Sequence, residues 1–351
     1  MALTQAQRAL LEKARSLGSG NQAVRLDNDI CTFLAATIAA DLQLLDLLGA
    51  GLATPEPFFG SNPAALRISG HDFMDLFSDI VRRNPDADTY FSCLAALHKS
   101  RLKYQRILET QPVPTIDQVG PRGLLQFGTL GPAALVGLLF WRKWLFDLDN
   151  RAGQETGYLF EPIIANAIGG VPASATRSPV RRGGTGTGRQ VDCIREDRAY
   201  EIKLRVTSAA SGQGRWRQEL DFPVDCRASG YVPVLVVLDP TPNPKLAELR
   251  RAFLAQGGEV HIGSDAWNHL EAEAGATMAR FLQKYVRQPI QALLAEVPRE
   301  LPRVGIHMAN NQVHFTVGDE ALTIGRTGEE PLPGDEALQI PADVDEQLPG
   351  V

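Results

Sequence analysis

Apolar positions recur at helical spacing through the first third of the chain and then give way to shorter runs of strand length. Gln5 to Leu17 carries helix formers at helical spacing, and Asp29 to Leu48 has a broad apolar face (Phe33, Leu34, Ile38, Leu42, Leu45, Leu48) that ends at Gly49. Ala53 to Gly70 holds three prolines and reads as a loop; Asp72 to Arg83 and Ala87 to Leu108 read as two more helices. Gln111-Pro112-Val113-Pro114 is the clearest linker candidate. Beyond it an apolar helix is expected over Pro132 to Leu148, and a second over Gln154 to Ile168 that Pro162 must kink or restart.

From there the pattern alternates. A loop rich in Gly and Arg (Arg181 to Arg189) leads into two short strands within Val191 to Lys203, and Gly212 to Asp221 reads as a helix. Val232 to Leu238 is a continuous apolar run, as expected for a strand buried on both faces. Lys245 to Ala255 is an amphipathic helix stopped by Gly257-Gly258, and Glu259 to Ile262 a further strand. Helix, hairpin, helix, buried strand, helix, strand predicts an α/β fold with a mixed central sheet flanked by helices, preceded by a helical N-terminal region. Asp265 to Glu296 reads as mostly helix interrupted at Pro289, and Val304–Met308 and Val313–Val317 flank Asn310-Asn311 as a hairpin. Arg326 to Val351 has seven acids, one Arg and four prolines, the composition of a disordered tail.

The hairpin carries the candidate chemistry. If Glu196-Asp197 is a two-residue turn, Arg195 pairs with Arg198 and Asp192 stands opposite Glu201. Alternation puts Lys203 on the same face, while Tyr200, Ile202 and Leu204 go to the other. Two carboxylates and an ammonium on one surface suit a divalent cation beside an activated water. The alternative is an ordinary exposed hairpin with a salt bridge.

Charge distribution sharpens this picture. Net charge is −6, yet Arg177 to Arg217 holds ten Lys or Arg against four Asp or Glu, a local +6, so the remaining residues carry −12. A basic belt around a carboxylate cluster suits a polyanion. Gly183 and Gly188 have the spacing of a phosphate loop, but Arg189-Gln190 and a strand follow where Lys-Ser/Thr and a helix are required. No G-x-S-x-G elbow or H-x-x-x-H spacing occurs, and the six histidines read as packing or surface residues. Four dispersed cysteines argue against a zinc ribbon or a disulfide framework. The longest apolar run, Leu130 to Trp141, is too short to span a bilayer, and Met1 to Gln5 does not open a secretory signal, so a cytoplasmic location is expected.

Asp192 followed by Glu201-Ile202-Lys203 resembles the catalytic core of the PD-(D/E)xK nucleases, which include most type II restriction endonucleases; Val191 stands where that pattern has Pro. The resemblance spans roughly residues 150–265. It implies catalysis by Asp192, Glu201 and Lys203, with Glu161, in the run Gly157-Tyr158-Leu159-Phe160-Glu161, as a third carboxylate at the metal and Glu155 in reserve. Gln218 and Glu219 are candidates for an outer contact, although a solvated helix face is the commoner case. Arg181, Arg182, Arg189, Arg205, Arg215 and Arg217 are the candidate DNA-binding residues, the first three on a mobile loop. The implied function is Mg²⁺-dependent cleavage of double-stranded DNA at a specific sequence, by a homodimer, with a cognate methyltransferase as companion. The alternatives are a repair or recombination nuclease of the same fold and a non-catalytic DNA-binding protein. The expected organisation is a helical region over 1–115 for DNA grip or dimerisation, a catalytic domain over 116–300, a small β hairpin over 301–325, and an acidic tail over 326–351.

Overall fold

The computed structural model describes residues 3–16, 22–49, 52, 55–206, 213–296 and 300–327. Its helices and strands, in chain order, are α1 (Gln5–Arg15), α2 (Asn28–Asp41), α3 (Phe73–Arg83), α4 (Ala87–Thr110), α5 (Ile116–Gly123), α6 (Pro132–Ala167), β1 (Val171–Ala173), β2 (Val191–Arg195), β3 (Arg198–Lys203), α7 (Gln213–Ala228), β4 (Val232–Val237), α8 (Pro244–Ala255), β5 (Glu259–Ile262), α9 (Ser264–Leu282), α10 (Gln288–Ala295), β6 (Val304–Ala309), β7 (Gln312–Val317) and β8 (Glu320–Gly325). The expected mixed sheet is present: five strands in the order β1-β2-β3-β4-β5, with the first three antiparallel and β3-β4-β5 parallel.

One face of this sheet is covered by α7 and α8 through Phe222, Cys226, Leu249 and Phe253, against Leu235 and Val237. The other face, through Tyr200, Ile202, Val234 and Val236, joins a large core that takes in α2, α3, α4, the end of α6, and α9. That core draws on residues from Leu3 to Val286, on both sides of position 115. Within it α2 is covered on all sides, every residue from Ile30 to Ala39 being buried. The expected linker is likewise packed: Gln111 is buried, and its carbonyl accepts the Trp144 indole N–H at 3.4 Å.

Several boundaries differ from the sequence expectation. The two helices expected on either side of Asp149–Gly153 are one, since α6 spans 36 residues with Pro162 inside it. An isolated Gly costs a helix only about 1 kcal/mol, which packing at both ends overrides. α2 stops at Asp41, and Gln43 in left-handed backbone (φ 61) turns the chain before Leu48. α9 is followed by a π-helical turn at Gln283–Arg287, ahead of Pro289. The C-terminal hairpin has a third strand, β8, making a three-stranded antiparallel sheet that seats Val313 and Ile324 on Ile107, Trp144 and Leu148. Its Asn310-Asn311 turn has φ 51 and 57, the geometry that favours Asn at both corners. Arg326 and Thr327 are tied down, through Asn311 and the Glu109 carbonyl, and the rest of the expected tail lies outside the described residues.

Candidate active site

The β2–β3 hairpin has the expected register: Arg195 pairs with Arg198, Ile194 with Ala199 and Cys193 with Tyr200. Glu196 closes the turn with φ 53. Beyond Cys193 the ladder ends, and the Ile202 amide instead donates to Asp192 Oδ2 at 2.7 Å. This bond aims the Asp192 carboxylate across the mouth of the hairpin toward β3. Parallel pairing of Glu201 with Leu235 and Lys203 with Val237 puts both β3 side chains on the sheet face covered by α7.

Lys203 Nζ lies 2.9 Å from Glu201 Oε1 and 3.5 Å from Glu219 Oε2 on α7, and all three side chains are about one-fifth exposed. Burial raises the Asp192 pKa well above the usual carboxylate range, and the charges of Glu201 and then Glu161 push it further the same way. For Lys203, burial works against the ammonium, but the charge of Glu201, then that of Glu219, outweighs it and the pKa is raised. Lys203 therefore keeps its proton at neutral pH.

Glu201, Glu219 and Asp192 thus act on Lys203, and Glu161 adds its charge at Asp192. Such crowding at a half-buried site is unfavourable without a cation, and the raised Asp192 pKa is its signature. An all-oxygen donor set of carboxylates fits a hard divalent ion such as Mg²⁺. Glu219 is the residue that sequence reasoning ranked too low, because a Glu on a polar helix face looks solvated until the partner across it is known. Glu155 is bound elsewhere, 2.6 Å from Lys103 on α4.

The candidate DNA contacts divide. Arg181 and Arg217 are exposed, and Arg182 is half-buried. Arg205 is exposed with a partner in Asp239 at 3.3 Å; the side chain of Arg215 lies outside the described residues. Arg189 corrects the expectation. It is buried, donates to Asp225 and to the Gln218 carbonyl, and stacks on Phe222, so it anchors the loop to α7 and does not face outward. Nor is that loop built as a free flap. Arg182 N–H reaches the Thr187 carbonyl at 2.9 Å, Gly186 N–H the Arg182 carbonyl at 2.8 Å, and Gly183 N–H Asp225 Oδ1 at 2.9 Å. A side chain at Gly188 would run into the Ala175 carbonyl. Among the described residues no helix is long and apolar enough to cross a membrane.

A family model described as ApaLI-like restriction endonuclease matches residues 66–287, which contain the sheet, α6 and α7. A curated relative, the type II restriction enzyme ApaLI of Acetobacter pasteurianus, is 51% identical over 233 residues, covering 64% of this chain and 62% of that enzyme. The chain thus matches less than two thirds of that relative's length. No solved structure matches the chain significantly.

Proposed function

The chain belongs to the ApaLI-like restriction endonuclease family, and from that membership we propose that it is a Mg²⁺-dependent type II restriction enzyme cutting double-stranded DNA at a specific sequence. The observation that carries the reading is the carboxylate cluster around Lys203 at the open end of the β2–β3 hairpin, the arrangement of a PD-(D/E)xK site. Asp192, Glu201 and Glu161 would hold the cation. A bound Mg²⁺ supplies positive charge to the scissile phosphate and acidifies the attacking water.

The chain's own residues do the rest. Ile202 N–H holds the Asp192 carboxylate in place, and Glu201 and Glu219 hold Lys203 as an ammonium. In that state Lys203 is a donor to a phosphate oxygen as negative charge builds in the transition state. The proton that water gives up passes to a neighbouring basic group or to solvent. Water attacks phosphorus in line, the 3′ oxygen leaves, and the products carry 5′-phosphate and 3′-hydroxyl ends. Arg181, Arg182 and Arg217 would serve as phosphate contacts. A homodimer would bring two such sites to opposite strands. Exposed Leu124, Leu125, Phe127, Leu138 and Phe146, on the segment joining α5 to α6 and on α6 itself, are suited to such an interface. A cognate methyltransferase and a cytoplasmic location belong to the same proposal.

Four variants test the site. Asp192→Ala, Glu201→Ala and Lys203→Ala are each expected to remove plasmid cleavage, by at least about 100-fold, with cooperative melting kept. Glu196→Ala, at the turn, is expected to cut near the parental rate. DNA binding is expected to survive in the carboxylate variants, since each removes a negative charge. Full cleavage by Lys203→Ala, or equal loss in Glu196→Ala, overturns the assignment. Cleavage in EDTA overturns the metal requirement.

A further inference from the structure

A second group of metal-ligating side chains stands on the other face of the sheet. Glu259 pairs with Val234 and His261 with Val236, which are in turn the partners of Tyr200 and Ile202. Glu259 and His261 therefore face α9, opposite to Glu201 and Lys203. From α9, His269 stacks on His261 with ring centroids 3.9 Å apart and planes 9° from parallel. No linear spacing announces this pair, because it forms only when α9 folds back over the edge strand.

We propose that Glu259, His261 and His269 form a binding site for a transition-metal ion of the Zn²⁺ class, which fastens edge strand β5 to α9. One donor atom from each residue lies within 4.8 Å of the others. The two oxygens of Glu259 are divided: Oε1 receives Arg198 Nε at 3.1 Å, while Oε2 faces His261 Nε2 at 3.5 Å. On the far side of the His261 ring, Nδ1 is 2.8 Å from Asp265 Oδ2. A carboxylate on one ring nitrogen is the usual support for a histidine that ligates through the other. His269 Nε2 is buried with no hydrogen-bond partner among the described residues, an uncompensated polar atom that a ligated ion would satisfy. Metal–ligand bonds of about 2.0–2.2 Å put tetrahedral donors roughly 3.3–3.6 Å apart, so the three donors close up on the ion when it binds. Two imidazoles and one carboxylate suit Zn²⁺, Co²⁺ or Ni²⁺ and disfavour Mg²⁺, and they leave a fourth position open.

The test uses the full chain carrying Asp192→Ala and Glu201→Ala, so that the carboxylate cluster on the other face does not contribute. After stripping with EDTA and equilibration with Co²⁺ or Zn²⁺, one ion per chain is expected by elemental analysis, with the visible bands of a tetrahedral Co²⁺ site and a raised melting temperature. Excess Mg²⁺ is not expected to compete. Adding His261→Gln or His269→Gln is expected to weaken binding at least tenfold and to abolish both the bands and the thermal shift. Two separate histidine variants guard against loss of fold in either. Absence of a bound ion, competition by Mg²⁺, or unchanged affinity in a folded histidine variant overturns the proposal.

Discussion

Asp225 is the point at which the glycine-rich loop and α7 can be uncoupled, and the size of the effect follows from what it touches. Its carboxylate accepts the Arg189 guanidinium at one oxygen and the Gly183 amide at the other, with the two side chains only 9% and 7% exposed. Asp225→Ala leaves the guanidinium buried with the Gln218 carbonyl and the face of Phe222. Removing one partner of a buried ion pair costs about 3–5 kcal/mol, because the surviving charge is desolvated and unpaired. With an unfolding entropy of about 2.1 cal/mol/K per residue, that lowers the melting temperature by about 4–7 °C for a chain of 351 residues. Asp225→Asn keeps an acceptor for Gly183 and is expected to cost about 1–3 kcal/mol. Arg189→Met combined with Asp225→Leu, which buries no charge, is expected to recover most of the loss. Denaturant unfolding and thermal melts on the four proteins, in EDTA, measure this. A cost below about 1 kcal/mol for Asp225→Ala, together with a weakened DNA salt dependence in Arg189→Ala, would mean that Arg189 faces solvent and phosphate, and the anchoring role would fall.

The double change Arg181→Ala and Arg182→Ala is expected to flatten the dependence of DNA affinity on salt by roughly one unit of log–log slope for each phosphate that is no longer neutralised; a binding titration across salt concentrations checks it, and an unchanged slope with one degenerate base position would make these residues base readers. Glu219→Gln is expected to lower cleavage while leaving DNA affinity in place, because it removes one of the two carboxylates that hold Lys203; parental turnover would show Glu219 to be dispensable. The raised Asp192 pKa means the folded state holds this proton more tightly than the unfolded chain, so in EDTA its contribution to stability is full below the unfolded pKa and declines as pH rises through the folded one. Asp192→Asn is expected to remove that decline in pH-dependent denaturation, and a parallel pH trend in parent and variant would refute it. Deleting residues 328–351, and not 326–351, is expected to leave melting unchanged, since Arg326 and Thr327 are bonded to the β6–β7 turn and to α4; a broadened transition in the shorter deletion would show a docked tail.

What could be read from the chain was local. A two-residue turn dictates register by counting, so the pairing of Arg195 with Arg198 and the shared face of Glu201 and Lys203 follow once the turn is identified. A strand such as Val232–Val237 is legible because burial on both faces removes polar positions altogether. What failed depended on partners distant in sequence. Arg189 looked like its exposed neighbours in a basic belt until Asp225, 36 residues on, was brought beneath it. Glu219, which meets Lys203 only when α7 folds back over the sheet, was hidden for the same reason. The extent of α6 was missed because Asp149, Asn150 and Gly153, between its halves, are poor helix formers whose conformation is imposed by contacts at either end. The β8 strand was missed because Glu320–Gly325 is almost wholly exposed and offers only Leu322 and Ile324 as an apolar alternation.

The packing of α2 has a consequence for synthesis. Its last residue, Asp41, accepts hydrogen bonds from Tyr285 at 2.6 Å and from Lys284, and its carbonyl takes Arg280. These partners leave the ribosome 239 to 244 residues later. At about 5–20 residues per second, α2 emerges on the order of 10–50 s before the segment that closes over it. During that interval the run Ile30–Ala39, buried throughout in the finished protein, has its neighbours α3 and α4 to pack against. A stall ahead of codon 280 would leave the Asp41 carboxylate without Tyr285 and Lys284.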